Sequence, residues 1–165
     1  MIHIARYIKT KPRAVTIGIS GVFLLVDQWL KYLTRTNPDF TYYLWKPWLG
    51  WEYFSNSGIA FSLPFPNPLL IIFTPLIILA LFIFLTKQKN PSFFFIFGIT
   101  LIIAGAISNL IDRVLFAATI DYLRLLTGVI NLADVMIAAG AGLLVWMEVE
   151  NKKTKLIKYK EQNTD

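Results

Sequence analysis

The stretch IDYLRLLTGVINLADVMIAAGAGLLVWM, residues 120–147, decides how this chain folds. Its second half is an apolar run, and Asp121 and Asp134 flank the start of that run. A helix needs about 20 mostly apolar residues to cross a bilayer, and residues 129–147 approach that length. A carboxylate at the edge of such a segment is costly to place and marks function by default. Asp134 falls in the first turns of the segment, past the point where helix capping would explain it well. Asp121 has one nearby opposite charge in the sequence, Arg124 at i+3.

Working outward, three more apolar segments cover about residues 14–33, 66–86 and 91–116. The chain has 165 residues, 56% of them hydrophobic and 16% charged, with a mean hydropathy of +0.57. Soluble domains carry about 25% charged residues, so the deficit favours a membrane protein. Spanning segments must satisfy their own backbone hydrogen bonds, which makes them helices. The expected fold is therefore a membrane all-α bundle of four transmembrane helices. Residues 1–150 form one domain and residues 151–165 a basic, mobile tail. The basic and apolar opening is superficially like a secretory signal. The apolar run continues past Asp27 to Leu33 without a small-x-small site, so an uncleaved first span is expected.

Residues 38–63 differ in character. FTYYLW and WEYFS are aromatic and strand-favouring, and Pro47 and Gly50 punctuate them. A small β-sheet lying at the outer membrane interface is the reading, its aromatics dipping into the headgroup zone; the alternative is a plain amphipathic connector anchored by Trp45, Trp48 and Trp51.

Eleven of the 16 Lys and Arg residues lie in the N-terminal tail, the loop at 87–89 and the C-terminal tail. By the positive-inside rule both termini are cytoplasmic. This distribution also explains the net charge of +6 without nucleic acid, for which no binding motif is present.

With that topology, Asp27, Lys31, Asn56, Asn109, Asp112, Arg113, Asp121, Asn131 and Asp134 fall at one depth, close to the outer leaflet. Asn109, Asp112 and Arg113 share a helix face that continues inward through Gly105 and Ser108. Asp134 lines up with Ala138, Ala141 and Gly142. Such small-residue stripes allow close helix approach. Plainer roles exist for several of these groups: an ion pair for Asp27–Lys31, a structural pair for Asp112–Arg113, a turn for Asn56 and a helix cap for Asn131. The chain has no cysteine, and its one histidine is His3. A thiol nucleophile is excluded and a histidine triad has no support, so hydrolytic chemistry would fall to the carboxylates.

These motifs together resemble the lipoprotein signal peptidases (signal peptidase II), bacterial membrane aspartyl peptidases. DQWLK (27–31) looks like the family's D-Q-x-x-K, NSGIAF (56–61) its N-x-G-x-A-F, and AGAISNLIDR (104–113) its G-G-x-x-G-N-x-x-D-R. IDY (120–122) and INLAD (130–134) resemble its V-x-D-F and F-N-x-A-D. Ala104, Ser108, Thr119, Tyr122 and Ile130 depart from the pattern. The resemblance implies a catalytic pair at Asp121 and Asp134, with Asp27, Asn56, Asn109, Asp112, Arg113 and Asn131 in support. It implies a substrate as well, a prolipoprotein cut just before a diacylglyceryl-modified cysteine. No cofactor or metal is expected, and the partners are substrate and membrane lipids, with the protein a monomer in the bacterial cytoplasmic membrane. Without the resemblance, three other readings stand: an ion- or proton-coupled transporter component, a Mg²⁺ or Ca²⁺ hydrolase built on Asp112, Asp121 and Asp134, and a structural membrane protein.

Overall fold

The computed structural model describes residues 12–59 and 63–162. His3, the basic residues Arg6, Lys9 and Lys11, and Ala60 and Phe61 of the NSGIAF motif lie outside the described residues. Elements follow in the order α1 (Pro12–Thr36), β1 (Tyr42–Trp45), β2 (Leu49–Asn56), α2 (Asn67–Lys87), α3 (Phe93–Phe116), β3 (Thr119–Leu125), β4 (Gly128–Ile130) and α4 (Leu132–Gln162). Among the described residues, these four helices each contain a stretch long and apolar enough to cross a membrane, by length and composition. On α2, Leu69, Ile72, Phe73, Leu76, Leu79 and Phe82 are exposed, and only the stripe through Leu70, Thr74, Leu81 and Leu85 turns toward the other helices. A helix that is apolar all round and exposed in the isolated chain is suited to lipid.

Small and hydroxylated residues determine how the helices meet. Ser20 on α1 donates to the Thr100 hydroxyl on α3 at 3.0 Å, and Gln28 donates to the Ser108 carbonyl at 3.0 Å. The rising pairs place α1 and α3 side by side in the same direction. α3 and α4 run antiparallel and touch backbone to backbone. A Cβ on Gly140 would lie 2.5 Å from the Gly98 carbonyl and 2.7 Å from Ile102 Cγ1, and one on Gly105 would lie 2.6 Å from the Ala133 carbonyl. The close-approach stripe on α4 is therefore centred on Gly140. Gly142, which the sequence reading places in that stripe, has nothing within 4 Å of a built Cβ. Gly140→Ala should destabilise the protein by about 1–3 kcal/mol through overpacking. Gly142→Ala should leave the melting temperature in detergent unchanged or slightly higher. Equal melting of the two variants would refute this account of the packing.

The four strands form one antiparallel sheet, ordered β1-β2-β3-β4. Phe54 pairs with Asp121, Asn56 with Thr119 and Leu123 with Ile130. The expected sheet at residues 38–63 is thus half of the observed one. The other half comes from the connection between the third and fourth apolar segments, and Val129 and Ile130 belong to β4 rather than to the last helix. α3 stops at Ala117, whose φ of 58° turns the chain into β3. The last helix also runs beyond Met147 to Gln162, into the stretch expected as a basic, mobile tail. Lys and Glu are good helix formers, and Glu148–Lys152 and Glu150–Lys153 pair along the exposed surface at 3.5 and 2.9 Å.

Candidate active site

Each candidate residue is held by an element that meets the sheet end of the bundle. α1 supplies Asp27 and Lys31, one turn apart and 2.9 Å from each other, both buried. The Lys31 ammonium also lies 2.9 Å from Asp112 and donates to the Asn109 amide oxygen at 2.8 Å. One buried cation therefore serves two buried carboxylates and an amide. Asp27 takes further hydrogen bonds from Ser108 at 2.6 Å and the Tyr122 hydroxyl at 2.8 Å. With every oxygen occupied and no exposure, Asp27 ties α1 to α3 and β3.

Asp112 and Arg113 do not pair with each other as the sequence reading expects. Successive helical residues point about 100° apart, and each finds its own partner. Asp112 turns to Lys31 and accepts the Ile120 backbone N–H at 3.1 Å, hooking β3 to α3 one residue ahead of Asp121. Arg113 donates to the Gly58 carbonyl at 2.6 Å and to the Asn67 side chain at 3.3 Å, clipping the connection before α2 onto α3. Arg124 ion-pairs with Glu52 across β2 and β3, and Glu52 also accepts from Tyr43. The guanidinium hydrogen bonds hold the Glu52 carboxyl below its ordinary range. The Asp121–Arg124 bridge that spacing allowed is therefore not the one formed.

Asn131 joins the two remaining carboxylates. Its amide nitrogen donates to Asp121 Oδ1 at 2.5 Å. Its amide oxygen accepts the Asp134 backbone N–H at 2.9 Å, and its own N–H donates to Asp134 Oδ2 at 3.2 Å. The last two bonds make a capping box at the start of α4 with Asp in the third helical position. Asp134 thus has a capping role that its distance from the helix start concealed. Its other oxygen accepts from Asn109 at 2.9 Å. Asn56 donates to Asp121 Oδ2 at 3.0 Å while its oxygen accepts the Gly58 N–H at 3.0 Å. Asp121 is fully buried. Burial first, and then the charge of Asp134, push its carboxyl up to about 7 against the pull of the Asn56 and Asn131 amides.

Beside this network lies a cleft of about 740 Å³ between α2, α3 and α4. Asn56, Asn109, Arg113 and Asp134 line its polar end, and Leu70, Ile77, Ile102, Ala138 and Ala141 its apolar length. All eight candidate residues meet in this one region. Gln28, Lys31, Asn67, Ser108 and Tyr122 complete it and were not counted among the candidates. Lys31 was legible as the i+4 partner of Asp27. The roles of the others depend on contacts between distant segments.

A model of the family described as signal peptidase (SPase) II matches residues 19–149. The chain belongs to the signal peptidase II family. The chain is 34% identical over 145 residues to the lipoprotein signal peptidase of Chlorobium phaeobacteroides (strain BS1), covering 76% of the chain and 90% of the relative. It is 36% identical over 158 residues to the lipoprotein signal peptidase of Sinorhizobium fredii (strain NBRC 101917 / NGR234), covering 90% and 95%. Two solved structures described as bacterial membrane enzymes share the fold. One has a TM-score of 0.80 at 25% identity, covering 86% of this chain and 92% of that one. The other has a TM-score of 0.71 at 26% identity, covering 81% and 92%. The protein is a membrane-spanning peptidase of four apolar helices and a small antiparallel sheet, and the transporter alternative has no support.

Proposed function

We propose that Asp121 and Asp134 form an aspartyl pair that removes the signal peptide from diacylglyceryl-modified prolipoproteins, cutting just before the lipidated cysteine. One observation carries the assignment: Asn131 bonds both carboxylates at once. The charge of Asp134 is among the causes that raise the Asp121 carboxyl, so the pair resists double ionisation and one proton is shared between them. The ionised member takes a proton from water as the water oxygen attacks the scissile carbonyl carbon. The protonated member gives its proton to the carbonyl oxygen. Collapse of the tetrahedral diol breaks the C–N bond: the ionised member takes back one hydroxyl proton of the diol while the protonated member gives its proton to the departing amine, which leaves the pair with one proton as before. The pair titrates as a unit, so neither role is assigned to one residue.

Asp134 faces the cleft, whereas the Asn56 and Asn131 amides hold both oxygens of Asp121. A side-chain amide donates and accepts, so a substrate carbonyl or the attacking water can take the place of one of them. The apolar length of the cleft suits an extended lipidated peptide. Both termini are assigned to the cytoplasmic side of the bacterial inner membrane, which puts the site and the sheet near the outer leaflet. The exposed Tyr42, Leu44, Trp45 and Trp48 support contact with lipid there. The enzyme works as a monomer.

The test is cleavage of a lipid-modified prolipoprotein by the purified protein, read by mass spectrometry, with and without EDTA. Release of the intact signal peptide at an undiminished rate in EDTA is expected. Loss of activity in EDTA, restored by Mg²⁺ or Ca²⁺, would replace the proposal with a metal-dependent hydrolase.

A further inference from the structure

We infer that Tyr122 is a positioning residue whose hydroxyl holds the two aspartates in register by tying the start of α4 to Asp27. The inference rests on the Asp121–Asp134 reading above.

The Tyr122 side chain is buried, its ring 4.7 Å from that of Trp51. Its hydroxyl donates to Asp27 Oδ1 at 2.8 Å and accepts the Leu132 backbone N–H at 3.0 Å. The first N–H groups of a helix have no partner within it. Leu132 is the first residue of α4, and the hydroxyl supplies the acceptor it lacks. Asn131 does the same for Asp134 two residues on. The helix end that carries Asp134 thus has two tethers.

One tether, Asn131, belongs to the pair's own network. The other leads away to a rigid point. Asp27 Oδ2 is held by Ser108 at 2.6 Å and Lys31 at 2.9 Å, so its free oxygen is fixed in place for Tyr122. Burial, and then the charge of Asp27, push the Tyr122 hydroxyl above its ordinary range. It therefore keeps its proton and continues to donate. At the backbone, Tyr122 follows Asp121 directly on β3. A single residue therefore links the strand that carries one aspartate to the helix that carries the other, through an anchor on a third element. Phenylalanine would fill the same space and break the link.

Tyr122→Phe should lower kcat by about 10- to 100-fold and leave KM within about twofold, because the loss is in alignment and not in binding. Ser20→Ala removes a buried hydrogen bond between α1 and α3, to Thr100, and Ser20 bonds neither Asp27 nor the pair. It should lower the melting temperature while leaving kcat within about twofold. Leu132→Pro tests the same link from the other side, since proline is tolerated at the first helical position and has no N–H. It should lose kcat as Tyr122→Phe does, and the double variant should be no slower than the slower single. Amide exchange at Leu132 should accelerate in Tyr122→Phe relative to Ser20→Ala. A Tyr122→Phe enzyme with wild-type kcat, additive losses in the double variant, or unchanged exchange at Leu132 would overturn the inference. If Tyr122→Phe yields no folded protein, Leu132→Pro with wild-type kcat overturns it alone. Asp121→Asn and Asp134→Asn in the same assay separate the two claims. If both are inactive while Tyr122→Phe is fully active, the inference alone falls. If either is active, the pair reading falls and the inference with it.

Discussion

Asp121→Asn should reduce turnover of a lipid-modified prolipoprotein by roughly 10³- to 10⁴-fold, the scale of losing an essential acid–base group. Asp134→Asn should do the same. Neither substitution removes a helix or a strand, and an oxygen remains at each position for Asn131, for its side-chain amide at 121 and its backbone N–H at 134. Folded but inactive protein is therefore the expected result. Near wild-type rates in either variant would end the assignment of the pair.

The pH dependence adds an independent check on Asp121. An ordinary Asp carboxyl titrates near about 3.9, whereas this one is raised to about 7. Between those values the folded protein holds a proton that the unfolded chain has lost. By linkage, stability falls as pH rises through this window and levels off above it. The melting temperature of the wild-type protein should drop between pH 5 and pH 8, and the Asp121→Asn protein should show a shallower drop. Turnover should decline as pH rises past about 7, when the pair gives up its shared proton. Parallel melting curves for wild type and Asp121→Asn would show that Asp121 is not the group held protonated.

Lys31→Met should have the largest effect on stability. The ammonium is buried with Asp27 and Asp112 each 2.9 Å away. Removing it leaves two buried carboxylates without a cation, which costs about 3–5 kcal/mol. A membrane protein of ordinary stability would then melt far lower or fail to accumulate. The Asp27→Asn/Lys31→Met double variant removes one of the orphaned charges and should recover part of the lost melting temperature. The Asn109 amide, which Lys31 orients, should stay misaligned, so activity should recover less than stability. A Lys31→Met protein that melts within a few degrees of wild type would show that the cluster is not held together by this charge.

The four helices were readable because each rests on one strong signal, a long apolar run. The gathering of Asn56, Asn109, Asp112, Asp121 and Asp134 was readable too, since alternating crossings bring their segments to the same end. Partners were harder to read. Arg113 lies next to Asp112 in sequence yet bonds Gly58 and Asn67, whose approach depends on how the connection before α2 folds back. Strands β3 and β4 were missed although Thr119–Leu125 is rich in β-formers and is followed by Thr127–Gly128, a fair turn signal. They sit between two apolar helical runs, where such short stretches are easily absorbed into their neighbours. Gly140 and Gly142 look alike in sequence, and only the rotation of α4 against α3 decides which one is crowded.

The Asn131 side chain that steadies Asp121 also begins the last helix. Unwinding a single turn there would part Asp121 from Asp134 while the four-helix scaffold stayed intact. Heat or detergent that loosens that turn would therefore silence the enzyme well before the molecule melts.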